Sequence, residues 1–158
     1  MLPRRAILSF IAATCADAYA QAPRTSPKLA KLQQELTDMA SQVAKDMRVN
    51  LDFSHGSVKS AETILAELHV EQRRTKSTEG VFGIAMGFGA YIVTVIERNT
   101  EPGLWEKDHP SIGENSFPFT WRGSTIFPVG WCLKRIMDGP QDNVWIKYQQ
   151  YVLKGPSK

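Results

Sequence analysis

The residue types that could support acid–base chemistry are concentrated in one short stretch of the sequence. Glu106, Lys107, Asp108 and His109 are consecutive, and Glu114 follows five positions later. A histidine beside carboxylates can act as a general base, because its ring titrates near neutral pH. Adjacent residues of a strand point to opposite faces, so this tetrapeptide alone has a poor geometry for a triad. The sequence therefore predicts no catalytic residue here and favours a charged, exposed loop.

Cysteine and histidine are the other residue types that could carry chemistry. Cys132 with His109 is formally a thiol–imidazole pair, but no motif of a reactive thiol surrounds Cys132. An unpaired cysteine of this kind is usually buried and inert. His55, His69 and His109 lie on different predicted elements without the spacing of metal ligands. With hydrolase, phosphate-loop and dinucleotide motifs also absent, we predict neither a metal site nor a cofactor.

The aromatic residues form a more informative pattern, because all four tryptophans lie after residue 100. Trp105 and Trp121 lie near predicted loops, and we expect them to be exposed. Exposed indoles can stack on sugar rings or anchor a protein interface, whereas most aromatic side chains simply fill a core. The tentative binding residues are Trp105, Glu106, His109, Glu114, Trp121 and Arg122.

The N-terminal end has the organisation of a cleaved secretory signal peptide, residues 1–20. Arg4-Arg5 precede an apolar run at 6–15, and Ala18 and Ala20 form a small-x-small site. The apolar run is too short to span a bilayer core about 30 Å thick. We expect cleavage after Ala20 and a periplasmic location, with either the general or the twin-arginine export route. The alternative is an ordinary N-terminal helix.

Composition limits the classes of partner. The 158 residues are 42% hydrophobic and 22% charged, which is typical of globular proteins and excludes fibrous and disordered classes. The formal net charge is +3, and it falls to +2 when Arg4, Arg5 and Asp17 leave with the signal peptide. A charge this small gives no argument for nucleic-acid binding, which needs a clustered basic patch. Loss of Cys15 leaves Cys132 without an intramolecular disulfide partner.

Three helices are predicted after a polar linker at 21–25. The first begins at Ser26-Pro27, an N-cap followed by proline, and the second begins at Ser54 or Ser57 and runs to about Arg74. The third covers residues 80–96. The apolar stripe of the first helix comprises Leu29, Leu32, Leu36, Met39, Val43 and Met47.

Residues 80–96 contain no charge and allow two interpretations. A helix buried in the core would place Gly83, Gly87 and Ala90 where another element packs tightly, with Phe82 among the residues filling the core. A membrane-spanning helix usually needs about 20 apolar residues, and four glycines weaken this stretch further. We favour the buried helix and expect no stable membrane insertion.

The remaining chain predicts a small antiparallel sheet and two more helices. A short strand at 104–106 precedes a hairpin whose turn is Arg122-Gly123, and Pro118 favours an edge strand. Helices follow from Pro128 and from Asp142 or Asn143, with Tyr151 on the apolar face of the last one. The prediction is one α+β domain at 26–155, with three N-terminal helices, the sheet and two C-terminal helices.

A series of glycine, proline and tryptophan motifs runs through the same half. They are Gly87-x-Gly89-Ala90-Tyr91, Val95-Ile96-Glu97-Arg98-Asn99, Trp105, Glu114-Asn115-Ser116-Phe117-Pro118, Phe127-Pro128-x-Gly130-Trp131-Cys132-x-Lys134-Arg135-Ile136 and Gly139-Pro140-x-Asp142-Asn143-Val144. Over about Gly83–Lys154 these motifs resemble a bacterial exported family known only as a domain of unknown function. The resemblance implies a soluble compact domain and no particular activity.

These features favour an exported, non-enzymatic protein that binds another protein in the periplasm. An immunity or inhibitor protein against a secreted toxin or effector is one concrete version. The first alternative is an envelope glycan-binding module or small hydrolase that uses the tentative binding residues. The second is a membrane-inserted protein that uses residues 80–96.

The signal-peptide assignment predicts the N-terminus of the exported protein. When the full chain is expressed in a bacterium, mass spectrometry of the periplasmic fraction should find a protein that begins at Gln21. Ala20→Arg should abolish cleavage, because the processing site needs a small residue there. An exported protein that still begins at Met1 would contradict the assignment.

Overall fold

A computed structural model describes residues 23–155. The predicted signal peptide and its cleavage site lie outside these residues. Helices and strands follow the predicted order, which confirms the α+β class. The elements are α1 (Pro27–Asp46), α2 (Ser57–Thr75), α3 (Val81–Asn99), β1 (Leu104–Trp105), β2 (Phe119–Trp121), β3 (Ser124–Ile126), α4 (Pro128–Met137) and α5 (Val144–Tyr148), with a 3-10 turn at Pro140–Asp142 and a π-helical turn at Gln149–Leu153.

Helix α3 is the centre of the core, because α1 and α4 pack against opposite sides of it. A methyl group added at Gly87 would lie 3.3 Å from the Leu36 carbonyl oxygen in α1. At Gly89 it would lie 2.7 Å from the backbone N and Cα of Val129 in α4. Among the described helices, α3 alone is long and apolar enough to cross a membrane, yet eleven of its residues are buried by the rest of the chain.

The face that α1 presents to α3 differs from the predicted apolar stripe. Its leucines and methionines are only partly buried, whereas Gln33, Thr37, Ala40 and Ala44 are buried. The Gln33 amide donates to Thr94 Oγ1 at 3.1 Å and to a carboxylate oxygen of Glu97 at 2.9 Å. The helices approach closely at Gly87, where the Met39 side chain and the Leu36 carbonyl of α1 lie against α3.

The sheet confirms the predicted hairpin and corrects the role of Pro118. Arg122 and Gly123 form the two-residue turn with φ of 48° and 75°, the left-handed values that such a turn requires. The strand order β1-β2-β3 makes β2 the central strand, so the prediction of an edge strand is wrong. Pro118 precedes β2, where no N–H is needed, and its carbonyl accepts the Glu106 N–H at 3.0 Å.

A buried ion pair links α2, α4 and α5. Arg135 Nε in α4 donates to Glu62 Oε1 in α2 at 2.6 Å, and both side chains are almost fully buried. The other oxygen of Glu62 accepts the Val144 N–H, the first of α5, at 2.8 Å. Asn143 caps α5 as predicted, because its side chain accepts the Ile146 N–H at 2.9 Å.

Three residues predicted to lie inside the helix packing are at the surface. Phe82 is exposed, and a methyl group added at Gly83 would meet no atom within 4 Å. Both belong to the first turn of α3, where no other helix covers them. Tyr151 is exposed as well, because the π-helical turn has a wider repeat than an α-helix and rotates this residue away from the core.

The two glycine environments of α3 predict opposite effects of the same substitution. Gly89→Ala should destabilise the protein by about 1–3 kcal/mol, because the new methyl group would overlap the α4 backbone. Gly83→Ala should stabilise it by up to about 1 kcal/mol through helix propensity. Urea unfolding followed by circular dichroism measures both. Equal effects of the two substitutions would contradict the close approach of α3 and α4.

Candidate functional site

The two tryptophans of the predicted binding set are core residues. Trp105 is 0% exposed and packs against the ring of Phe117 at a centroid distance of 5.3 Å. Trp121 is 5% exposed, and its indole N–H donates to Thr100 Oγ1 at 3.1 Å, which ties the sheet to the end of α3. The expectation that both rings are exposed is therefore wrong, because they close the core beneath the sheet.

His109 organises the loop between β1 and β2. Its Nδ1 accepts the backbone N–H groups of Ser111 at 3.1 Å and Ile112 at 3.3 Å, so the ring proton is on Nε2. The ring packs edge-on against Phe127 at a centroid distance of 5.6 Å. Through these contacts His109 holds the loop, and Ile112 with it, beside the start of α4.

The charged members of the predicted set do not converge on His109. Glu106 and Glu114 are exposed, and neither makes a side-chain hydrogen bond or ion pair with another described residue. Arg122 lies over the Trp121 ring at 4.6 Å and pairs with Glu101 at 3.5 Å. These residues therefore form no shared acid–base cleft.

Cys132 is buried in α4, as the sequence favoured. Burial, and secondarily the negative charge of Glu62, raises the pKa of its thiol far above the usual range. The thiol therefore stays protonated and is a poor nucleophile at neutral pH. His55 and His69 are engaged elsewhere, with Tyr148 Oη at 2.6 Å and the Ile136 carbonyl at 2.7 Å. No group of three metal-ligating side chains occurs among residues 23–155.

A long apolar groove opens beside α4, and we call it the C-terminal groove. Its main cavity has a volume of about 570 Å³. Smaller depressions of about 390 and 200 Å³ adjoin its two ends and share lining residues with it. The apolar side chains that define the main cavity are Phe82, Ile112, Phe127, Trp131, Leu133 and Tyr151.

Four segments of the chain build this groove. The first turn of α3 supplies Phe82, the loop held by His109 supplies Ile112, and α4 supplies Trp131. Tyr151 stacks on Trp131 at a centroid distance of 5.8 Å, so the π-helical turn lies against α4 at this point of the groove. The groove is thus a product of tertiary packing, with an aromatic floor and an open top.

Exposed apolar side chains are concentrated on this groove. Six large hydrophobic residues of the described chain are exposed, and four of them line the groove or its end, namely Phe82, Ile112, Tyr151 and Leu153. The sequence contained one signal of this surface, because Ile112 stands alone among polar residues in a loop. Helical periodicity misled the prediction for Phe82 and Tyr151, since it assigned both to the buried side.

Comparisons with protein-family models, with curated proteins and with solved structures found no match. The resemblance over Gly83–Lys154 accordingly stays a prediction. The chemistry of the C-terminal groove therefore follows from the residues of this chain alone.

Because Cys132 is buried, we expect its thiol to be unreactive in the native protein. Excess iodoacetamide at neutral pH should leave the native protein almost unmodified, because the thiol is inaccessible and protonated. In denaturant the same reagent should add one group to the processed protein that begins at Gln21 and lacks Cys15, which intact mass spectrometry measures. Cys132→Ala is the control that should add none in either condition. Rapid modification of the native protein would contradict an inert thiol.

Proposed function

We propose that this chain is an exported binding protein that holds an apolar segment of a partner protein in the C-terminal groove. The observation that carries the proposal is the concentration of exposed apolar residues along one groove. Contiguous exposed apolar surface is uncommon on monomeric proteins and marks sites of interaction. A secreted toxin or effector, for which this chain would act as an immunity or inhibitor protein, is one concrete partner.

The size and shape of the groove favour a protein segment. Its main cavity of about 570 Å³ alone would also suit a small molecule, whose sites span about 300–1,000 Å³. The two depressions adjoin it at different lining residues, which gives a bound segment separate places for its side chains. Trp131 and Tyr151 provide an aromatic floor of the kind that anchors interfaces.

The two alternatives have less support. A glycan-binding platform needs exposed aromatic faces, and Trp105 and Trp121 are buried. A membrane-inserted α3 would have to leave its contacts with α1 and α4 and expose Thr94 to lipid without its hydrogen bond from Gln33 of α1. The groove is therefore the better supported functional surface.

Removal of one apolar side chain from the groove should weaken partner binding, whereas the same change elsewhere on the surface should not. Ile112→Ser should weaken partner binding by about tenfold or more, because a 64% exposed side chain would lose its apolar contact in the complex. Val70→Ser, at a 66% exposed position of α2 outside the groove, should not change binding. Neither change should alter stability by more than about 0.5 kcal/mol, since both side chains face solvent.

The partner for this measurement comes from photocrosslinking in the cells that make the protein. A benzoylphenylalanine placed at Ile112 should crosslink one protein that the same residue at Val70 does not, and mass spectrometry identifies it. Titration calorimetry with that purified partner then compares wild type, Ile112→Ser and Val70→Ser. Crosslinks only between copies of this chain, or equal affinity of all three proteins, would contradict the proposal.

A further inference from the structure

We propose that the segment held in the C-terminal groove is acidic, and that Lys134 binds its carboxylate. This inference rests on the proposed function and specifies the chemistry of the partner segment. Lys134 is an exposed residue of α4 that lines both the main cavity and the adjoining depression beside Met137. A carboxylate at Lys134 would therefore lie where the two cavities meet.

The charged residues along the groove are predominantly basic. The main cavity contains Lys134 and Lys147, and none of its described lining residues is acidic. The depression at the C-terminal end adds Arg122 and Lys154. Asp138, at the opposite end, is the one acidic side chain that lines any of the three cavities within residues 23–155. Basic side chains thus outnumber acidic ones among the lining residues of the groove, on a chain whose net charge is small.

Pairing within the chain leaves Lys134 as the available cation of the main cavity. Lys147 Nζ lies 2.6 Å from Asp142 Oδ1, and Arg122 Nε lies 3.5 Å from Glu101 Oε1. Lys134, by contrast, makes no side-chain hydrogen bond or ion pair with any residue that the structure describes. Its ammonium group can accept a partner carboxylate without displacing an internal one.

The apolar surroundings of Lys134 make the site selective for an acidic over a basic side chain of the partner. It lies beside Leu133, and the same cavity contains Phe82 and Trp131. An apolar segment bound there would exclude water from the pair, and a lower local dielectric strengthens the attraction between opposite charges. A basic side chain at the same place would be repelled, so that charge sets specificity while the apolar contacts provide affinity.

A pair of dyes that differ only in charge tests the groove directly. 1-Anilinonaphthalene-8-sulfonate carries the anion, and N-phenyl-1-naphthylamine is the same apolar molecule without it. Fluorescence titration of the exported protein should give about tenfold tighter binding of the sulfonate. Lys134→Gln should remove that preference and leave binding of the neutral dye unchanged. Lys59→Gln, at an exposed position of α2 outside the groove, is the matched control.

Selection from a random peptide display library tests the assignment to a protein segment. Peptides that bind wild type but not Ile112→Ser should be enriched in aspartate or glutamate next to large apolar residues. Synthetic copies should lose about tenfold or more of their affinity for Lys134→Glu and none for Lys59→Glu. Raising the ionic strength should weaken their binding to wild type more than their binding to Lys134→Gln.

The outcomes separate this inference from the proposed function. Groove-dependent peptides without acidic enrichment, or with unchanged affinity for Lys134→Glu, overturn the role of Lys134 and leave the binding groove intact. Dye binding that is unchanged in Ile112→Ser, together with a selection that yields no peptide dependent on Ile112, overturns both proposals. Charge-selective dye binding without any selected peptide overturns the assignment to a protein segment, because the occupant is then a small anionic amphiphile.

Discussion

The close approach of α4 to α3 is the contact on which the rest of the structure depends. Without a side chain at Gly89, the α3 backbone lies directly against Val129 in the first turn of α4. Helix α4 begins at Pro128, two residues after β3 ends, so the same contact fixes where the sheet meets the helices. Trp131 and Lys134 follow one and two turns later, and their positions in the groove are determined by this approach.

A few buried polar contacts join the helices in addition to their close packing. The Glu62–Arg135 pair joins α2 to α4, and the second oxygen of Glu62 holds the first N–H of α5. Buried ion pairs contribute little net stability, but removal of one partner is costly because the other charge stays buried. On the other side of α3, Gln33 and Thr94 make a hydrogen-bonded contact where the sequence predicted leucines. Both sides of the central helix therefore combine close backbones with a few specific polar groups.

The sequence predicted those elements that are determined by local residues. The Ser26-Pro27 start of α1, the Arg122-Gly123 turn and the Asn143 cap each depend on a conformational preference of one or two residues, and the structure has all three. The buried side of α1 was not predictable in this way, because it depends on how closely α3 approaches.

The groove was not predictable for the same physical reason. Phe82, Ile112 and Tyr151 come from three segments far apart in the chain, and no local pattern marks them as neighbours. Two of them even follow a helical periodicity that normally indicates burial. A protein whose candidate surface is assembled from separate segments reveals that surface only when its packing is known.

The short last helix, α5, depends on neighbouring helices for its stability. Helix α5 has five α-helical residues, too few to persist alone, and it depends on Glu62 for the hydrogen bond at its first N–H. Its stability therefore depends on α2 and α4, since Arg135 of α4 holds Glu62 in place. In hydrogen exchange, Val144–Tyr148 and the turn that follows should open before the α1–α3–α4 core does. The groove thus combines the closely packed α4 with Tyr151, which lies on a segment that can adjust its fit to an incoming partner segment.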